Sequence, residues 1–289
     1  MERVVLIGLG AVGLTYAVKL KDKCNFYVLA DSDRIIGYKN KKPVFNGVKQ
    51  DFNYILPSEK LDADLIIVST KFSALDSVIK SIKNFVTPRT RIVSLINGIS
   101  SEEKISEEYP EARILKSYFI GHSAVRDGNF VTQDGVGEIV IEHDDYVEKF
   151  FKEAKVQYSV PQDIDYAMWL KFAFNAYANP LSAILNMNFG ELKKNTQFRE
   201  TAKKIINEVK QIAEKKGIKN LQNLENDALN SLDKMCDEGM TSMHQDILAK
   251  RKTEIDIFAG EVINLGQKYG VKTPYNQILY DLIKIKESV

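Results

Sequence analysis

The first half of the chain alternates short apolar runs with longer amphipathic stretches. Short, predominantly apolar runs, typical of strands buried on both faces of a sheet, occur at 4–7, 26–29, 65–68 and 92–95. Helical periodicity follows the first run as far as Lys21 and follows the third at 73–85. Strands that alternate with helices predict a parallel sheet covered by helices on both faces.

The pattern between these runs and residue 163 adds smaller elements. Asn46-Gly47, between two strand-like segments, predicts a hairpin. Further strands are predicted at 113–119, 129–132, 138–142 and 156–159, with a helix at 145–154. The first half is therefore an α/β domain.

From Ile164 onward strand patterns disappear and helical periodicity takes over. Pro180 is expected to kink or interrupt the first of these helices just after Asn179. Helices are predicted from near Asp165 past Pro180, and at 201–216, 221–238, 242–270 and 275–286. The predicted domains are 1–163 and an all-helical domain at 164–289.

A glycine motif connects the first strand to the first helix. It consists of Gly8, Leu9, Gly10, Ala11, Val12 and Gly13. Glycines permit a tight turn, a close approach of a pyrophosphate to the backbone and close packing of helix on strand. With a strand before it and a helix after it, the motif predicts an N-terminal Rossmann domain that binds a dinucleotide.

The second strand ends near two charged residues of opposite sign, Asp31 and Arg34. An acid at this place in a Rossmann fold usually accepts a hydrogen bond from the ribose 2′-hydroxyl of NAD, whereas an arginine can pair with the 2′-phosphate of NADP. The spacing alone leaves NADP(H) and NAD(H) both open.

Two more polar residues follow predicted parallel strands. Lys71 comes after the strand at 65–68, and Asn97, before Gly98, comes after the strand at 92–95. Ligands bind at the carboxyl ends of strands in such sheets, so both are candidate site residues. Lys71 is equally well explained as an exposed loop lysine, and Asn97 as ordinary turn chemistry.

The helix that opens the second half carries one polar line on an otherwise apolar sequence. Lys171, Asn175 and Asn179 recur every four residues, which corresponds to a drift of only ~40° per step. The line could simply face solvent. Alternatively, it faces a polar ligand, because burying these groups without partners is costly.

Ser242 and Glu254 are two further candidates, on the predicted helix 242–270. Twelve residues on a straight helix span ~18 Å, so both cannot bind one small substrate. One would serve the substrate and the other the cofactor. A capping or exposed serine and a surface-paired glutamate are the alternative interpretations. His122 is a candidate for proton transfer, although a lone loop histidine is more often structural.

Composition narrows the functional classes. The net charge of +1 gives no electrostatic reason to expect a nucleic-acid or membrane partner, and no window of ~18 apolar residues is present. Cys24 and Cys236 are too few for a disulfide framework or a zinc site, and the histidines lack metal-ligand spacing. We expect a cytoplasmic protein without a metal. No heptad pattern specifies a dimer, so a monomer and a homodimer both stay open.

Taken together, these segments resemble the ketopantoate reductase (2-dehydropantoate 2-reductase) family over nearly the whole chain. The similar segments are 8–13, Thr70-Lys71, Asn97-Gly98, Arg126-Asp127-Gly128, 169–181 with its Lys-Asn-Asn line, Gly190-Glu191-Leu192, 242–246 and 251–256. The resemblance implies an active site between a Rossmann and a helical domain. There NADPH would reduce the 2-oxo acid ketopantoate to D-pantoate, a precursor of pantothenate and coenzyme A.

The resemblance also implies a role for each candidate residue. Lys171 would be the general acid, and Glu254, on the nicotinamide ribose side, would complete the catalytic pair. Asn97, Asn175, Asn179 and Ser242 would bind substrate. Asn97 would also orient the nicotinamide, and Lys71 would contact the cofactor.

The sequence departs from the family pattern at three places. Asp31-Ser32-Asp33 occupies the region where the family commonly has an arginine, so Arg34 would have to replace it. Gly239 and Phe189 stand where the family often has asparagines. These departures favour an alternative, an NADH-dependent reductase of another branched or aromatic 2-oxo acid (a D-2-hydroxyacid dehydrogenase). A dinucleotide sensor without turnover is a second alternative, and the intact Lys171, Asn175 and Asn179 line counts against it.

Overall fold

A computed structural model describes residues 2–121, 124–133 and 135–288. The chain divides into two compact units, Met1–Ile164 and Asp165–Val289. Unit 1 contains the strands and unit 2 is helical.

Unit 1 combines strands and helices along its length. In chain order they are β1 (Arg3–Ile7), α1 (Ala11–Leu20), β2 (Asn25–Leu29), α2 (Ser32–Asn40), β3 (Val44–Phe45), β4 (Val48–Lys49), β5 (Tyr54–Ile55), β6 (Leu65–Val68), α3 (Leu75–Ile82), β7 (Arg91–Ser94), α4 (Ser101–Glu108), β8 (Arg113–Leu115), β9 (Ser117–Ile120), β10 (Ala124–Asp127), β11 (Phe130–Gln133), β12 (Glu138–Ile141), α5 (Asp145–Ala154) and β13 (Tyr158–Ser159).

The main sheet of unit 1 has the strand order β5-β2-β1-β6-β7-β8, and all its pairs are parallel. The chain builds outward from β1 through β2 to β5 and then crosses back to place β6 on the other side of β1. Ligands in such sheets bind at this change of direction, beyond the carboxyl ends of the strands. The predicted α/β fold is confirmed.

Successive residues of the central strands enter two different cores. Val4, Leu6 and Ile67 belong to one apolar cluster, whereas Val5 and Ile66 belong to the other. Side chains alternate across a strand, so a run without polar residues buries both faces of the sheet. This explains why the parallel strands appear in the sequence as continuous apolar runs.

Two smaller sheets complete unit 1, with strand orders β10-β11-β3-β4 and β13-β12-β9. The predicted hairpin is confirmed: β3 and β4 pair antiparallel, and both turn residues, Asn46 and Gly47, have positive φ. The single strand predicted at 113–119 is wrong, because β8 and β9 join different sheets.

Unit 2 contains seven α-helices in its described part. They are α6 (Ile164–Leu185), α7 (Phe189–Lys194), α8 (Thr196–Lys216), α9 (Leu224–Asp233), α10 (Ser242–Leu248), α11 (Ala259–Tyr269) and α12 (Pro274–Glu287). Pro180 does not interrupt α6, which continues to Leu185. The helix predicted at 221–238 is shorter, since a 3-10 turn precedes α9.

The prediction of one helix over 242–270 is wrong. Helix α10 ends at Leu248, Lys250 has φ +52°, and a 3-10 turn at Ile255–Ile257 precedes α11. Thr253 donates from both its backbone N–H and its hydroxyl to Glu287 of α12, at 2.7 Å each. These tertiary hydrogen bonds satisfy a backbone group that a continuous helix would otherwise pair, and the amphipathic periodicity does not reveal them.

Candidate active site

The glycine turn after β1 is compact at its backbone. Gly8 has φ +100°, and a Cβ there would overlap the carbonyl oxygen of Ser69. A Cβ on Gly13 would overlap the carbonyl oxygen of Gly8. Both positions therefore require glycine, which brings the start of α1 close to β1 and β6. Of the other motif residues, Leu9 is buried, Gly10 caps α1, and Ala11 and Val12 form its first turn.

A cavity opens beside this turn, at the carboxyl ends of β1, β2 and β6. Its lining includes Gly8, Asp31, Arg34, Tyr38 and Thr70. The Thr70 hydroxyl oxygen is buried and has no hydrogen-bond partner among the described residues. Gly10 also supplies no side-chain cap to the first N–H groups of α1. A dinucleotide phosphate would satisfy such donors, so these residues fit the predicted cofactor.

The two charged residues that line the cavity, Asp31 and Arg34, interact with each other. Asp31 caps α2 by accepting from the backbone N–H of Arg34 at 2.8 Å, and its carboxylate lies 3.5 Å from Arg34 Nε. Both side chains are largely exposed. The same cavity therefore offers an acceptor for a ribose hydroxyl and a cation for a phosphate.

Lys71 and Asn97 follow neighbouring strands at the same edge of the main sheet. Lys71 is the third residue after β6 and precedes a 3-10 turn, and Asn97 is the third residue after β7. Gly98 has φ +102°, which fits the turn expected after Asn97. The resemblance includes Thr70 beside Lys71 but implies no separate role for it. Its position beside Lys71 at the end of a strand is the signal that could have identified it.

In unit 2, helix α6 carries the predicted polar line. Lys171 and Asn175 are half-buried, and Asn179 is only 4% exposed. Asn179 Nδ2 donates to Asn175 Oδ1 at 3.1 Å, and Asn179 Oδ1 accepts from Ser242 Oγ at 3.2 Å. We call Asn175, Asn179 and Ser242 the Asn cluster. Asn179 Oδ1 also accepts from the backbone N–H of Met243, which fixes the amide orientation.

A second polar cluster joins α6 to α10 farther along both helices. His244 is buried, with its Nδ1 3.3 Å from Ser182 Oγ and its Nε2 2.9 Å from Asn186 Oδ1. Burial lowers the pKa of His244, and the nearby backbone of Met187 partly opposes this shift. We call Ser182, Asn186 and His244 the His cluster.

Ser242 and Glu254 do not share a helix. Ser242 is the first residue of α10, after the cap Thr241, whereas Glu254 precedes the 3-10 turn at Ile255–Ile257. The single straight helix on which the ~18 Å separation was estimated is therefore wrong, because the helix ends between them. His122 lies outside the described residues. Within the described ranges, no group of three or more potential metal ligands occurs.

The two positions that lack the family's asparagines pack against each other. Phe189 is 9% exposed and donates its backbone N–H to the carbonyl oxygen of Gly239 at 3.0 Å. A Cβ on Gly239 would stand 3.0 Å from the Phe189 ring and 3.1 Å from the carbonyl oxygen of Cys236. A larger residue at 239 therefore requires the ring to move.

Known proteins are similar to this chain over nearly its full length. Residues 4–145 match the model for ketopantoate reductase PanE/ApbA, and residues 163–287 match the model for its C-terminal part. The chain is 26% identical to a 2-dehydropantoate 2-reductase of Streptococcus pyogenes serotype M1, with 99% of this chain and 98% of the relative covered. It is 29% identical to one from Aquifex aeolicus, with 78% and 76% covered.

A solved structure of D-mandelate dehydrogenase with NADH and anilino(oxo)acetate is also similar, with a TM-score of 0.85, 26% identity, and 99% and 98% of the two chains covered. Across the described part of this chain, no helix has the length and hydropathy needed to cross a membrane. The two family models together cover nearly the full length, and the parallel sheet, glycine turn and helical unit agree with them. The chain belongs to the ketopantoate reductase family of oxidoreductases.

Proposed function

We propose that this protein reduces ketopantoate to D-pantoate with a hydride from NADPH. The observation that carries the proposal is the Asn cluster: two carboxamides and a hydroxyl are hydrogen-bonded to one another in line with Lys171 on α6. Such a set can bind the hydroxyl and carboxylate groups of a small acid beside a cation. A protein that only senses a dinucleotide has no need of this arrangement.

The residues divide the chemistry between them. Lys171 donates a proton to the ketone oxygen as the hydride arrives at C2, since a lysine ammonium is charged near neutral pH and stabilises the developing alkoxide. Asn175, Asn179 and Ser242 hold the substrate. The dinucleotide supplies the hydride.

The remaining residues are proposed to bind the cofactor and to orient it toward the substrate. The glycine turn and Lys71 hold the dinucleotide, Asn97 orients the nicotinamide against the substrate, and Glu254 binds the nicotinamide ribose. Arg34 pairs with the 2′-phosphate, and its position beside the cavity supports this role.

A second candidate is an NADH-dependent reductase of a branched or aromatic 2-oxo acid. Asp31 favours it, because a carboxylate at the cavity would repel a 2′-phosphate and accept a ribose hydroxyl. Phe189 and Gly239 also favour it, since an aromatic ring and a glycine stand where asparagines are common in the family. The similar D-mandelate dehydrogenase structure contains NADH and an oxoacetate with an aromatic group.

Steady-state reduction of ketopantoate, measured in parallel with NADPH and NADH, separates the two candidates. Branched 2-oxo acids and phenylglyoxylate serve as comparison substrates. Higher kcat/KM for ketopantoate with NADPH supports the first proposal, and higher kcat/KM for an aromatic or branched acid with NADH replaces it with the second.

Two variants assign the cofactor preference to residues. Under the first proposal, Arg34→Ala raises KM for NADPH by about tenfold through loss of a charge-assisted contact, without changing KM for NADH. Lys39→Ala is the matched control, an exposed cation in the last turn of the same helix. Equal effects of Arg34→Ala on both cofactors would remove Arg34 from 2′-phosphate recognition.

A further inference from the structure

Glu254 lies at the end of an irregular segment between α10 and α11. Residues 249–254 belong to neither a helix nor a strand, Lys250 has positive φ, and the 3-10 turn begins only after Glu254. Helices and strands place their side chains through repeated backbone hydrogen bonds, whereas such a segment depends on contacts with the elements around it. The position of the Glu254 carboxylate therefore depends on what holds its neighbours.

Glu287, in the last turn of α12, holds the residues on both sides of Glu254. Its Oε1 accepts from the backbone N–H and from the hydroxyl of Thr253, at 2.7 Å each. The Thr253 hydroxyl oxygen in turn accepts from the backbone N–H of Ile255 at 3.3 Å. Thr253 and Ile255 are both buried, and hydrogen bonds to a carboxylate are stronger than neutral ones. One side chain thus fixes the backbone before Glu254 directly and the backbone after it through Thr253.

A second contact with the same helix lies two residues beyond Glu254. Tyr280 donates its hydroxyl to Asp256 Oδ1 at 2.9 Å, and Lys284 Nζ donates to Asp256 Oδ2 at 3.1 Å. Lys284 Nζ also lies 3.5 Å from Glu287 Oε2, so it interacts with both carboxylates. Tyr280, Lys284 and Glu287 follow one another at steps of four and three, which places them on one face of α12. The segment 253–256 is therefore anchored at both ends to this face.

Helix α12 is itself attached to unit 2 by other contacts. Leu279 and Ile283 are buried. Asn276 is fully buried and donates to the carboxylate of Glu208 from both its backbone and its side chain, at 3.0 and 2.6 Å. The helix is thus held through its first half, and its last two turns provide a rigid support for the segment beside them.

We propose that Glu287 is a positioning residue, which holds the segment 253–256 so that the Glu254 carboxylate can bind the nicotinamide ribose. The inference rests on the role proposed above for Glu254. A carboxylate accepts from a ribose hydroxyl only at about 2.5–3.0 Å, so a small displacement of the backbone at Glu254 weakens the contact. The nicotinamide ribose is common to NADPH and NADH, so the effect of Glu287 does not depend on which of them the protein prefers.

Isothermal titration calorimetry of the full chain tests the proposal. The ligands are NADPH and NADH, together with adenosine 2′,5′-bisphosphate and AMP, which carry the adenosine half of each cofactor without the nicotinamide ribose. Glu287→Ala should raise Kd for the preferred dinucleotide about tenfold, because the Glu254 contact is lost, and should leave Kd for its adenosine half unchanged. Glu287→Gln keeps an acceptor oxygen and should have a smaller effect.

Asp281→Asn is the matched control on the same helix. Its carboxylate is exposed and accepts from Gln277 at 3.0 Å, so it has no part in anchoring the segment 253–256. Kd for the dinucleotide and Kd for the adenosine half should both stay unchanged. An increase equal to that of Glu287→Ala would overturn the proposal, because it would show a general effect of charge on α12.

The double variant separates positioning from general destabilisation. If Glu287 acts through Glu254, Glu287→Ala should raise Kd no further once Glu254→Ala is present. Effects that simply add, or weaker binding of the adenosine half by Glu287→Ala, would overturn the proposal. So would normal dinucleotide affinity of Glu287→Ala when Glu254→Ala binds weakly. Normal affinity of Glu254→Ala would remove Glu254 from ribose binding, and the inference with it.

Thr253→Val gives a second, milder test, which applies if circular dichroism shows that Glu287→Ala does not fold. It removes the hydroxyl that links Glu287 to Ile255 and leaves the backbone N–H of residue 253 bonded to Glu287. Kd for the dinucleotide should rise about threefold, with an unchanged Kd for the adenosine half. An unchanged Kd for the dinucleotide would overturn the proposal.

Discussion

Two polar clusters join helices α6 and α10, and they differ in what surrounds them. The His cluster encloses an imidazole that is 3% exposed, with both ring nitrogens near oxygen atoms of the protein. The Asn cluster includes an exposed serine and continues the line of half-buried Lys171. Hydrogen bonding alone therefore does not distinguish a structural cluster from the proposed substrate site. The proposed distinction rests on the solvent access of the Asn cluster and on Lys171 in the same line.

The largest effect expected from this difference is on turnover. Lys171→Ala should lower kcat by about 100-fold or more, because proton donation to the ketone oxygen is lost. Cofactor binding, followed by fluorescence titration, should stay nearly unchanged. Lys210→Ala, at a half-buried lysine of α8, is the matched control and should keep normal kcat. Near-normal turnover of Lys171→Ala would remove this residue from the role of general acid.

The His cluster should matter for stability instead. His244→Ala removes a buried ring and both its hydrogen-bonding nitrogens, so the free energy of unfolding should fall by about 1–3 kcal/mol in urea titrations. Turnover of the folded fraction should stay close to normal. Asn186→Gly tests only the contact between Asn186 and His244, since glycine keeps the positive φ of 56° without the side-chain amide. The free energy of unfolding should fall less in this variant than in His244→Ala. A large drop in kcat with unchanged stability would reverse the assignment of the two clusters.

Ser242→Ala should affect activity rather than stability, the opposite of His244→Ala, and its effect on activity should be smaller than that of Lys171→Ala. The exposed hydroxyl contributes little to folding, so the free energy of unfolding should change by less than about 0.5 kcal/mol. Loss of one substrate contact should lower kcat/KM about tenfold, mainly through KM. Ser288→Ala, another exposed serine at the end of α12, should leave both quantities unchanged. An equal kcat/KM for Ser242→Ala and the unchanged protein would contradict substrate binding by the Asn cluster.

The smallest expected effect is the pH dependence of stability. Burial holds the pKa of His244 below its unfolded value of 6.5. The unfolded chain therefore binds a proton before the folded chain does, and stability falls as pH drops through 6.5 toward the lower folded pKa. Urea titrations of the unchanged protein and of His244→Gln should diverge in this range, with the variant less dependent on pH. Parallel curves would show that His244 does not titrate differently on folding.

The sequence predicted the central parallel strands of unit 1 better than the helices of unit 2. Glycines at 8 and 13 and the apolar runs mark the parallel sheet directly, because backbone contact and burial on both faces restrict the residue types. Helix α7 was missed, although Asn188 and Glu191 form a capping box that the sequence displays. Helices α2 and α4 were also not predicted.

The sequence by itself determined the residue types and local geometry of the candidate site. It placed the glycine turn after a strand and aligned Lys171, Asn175 and Asn179 on one helix, because both features depend on spacing within a single element. Only the tertiary structure decided which distant residues meet. Asn179 with Ser242, Phe189 with Gly239 and Thr253 with Glu287 are joined by contacts between separate segments, and local periodicity carries no information about such contacts. The exposure of Ile278 and Leu282 on α12 was decided in the same way, since an apolar pattern does not show which of its faces the remaining chain covers.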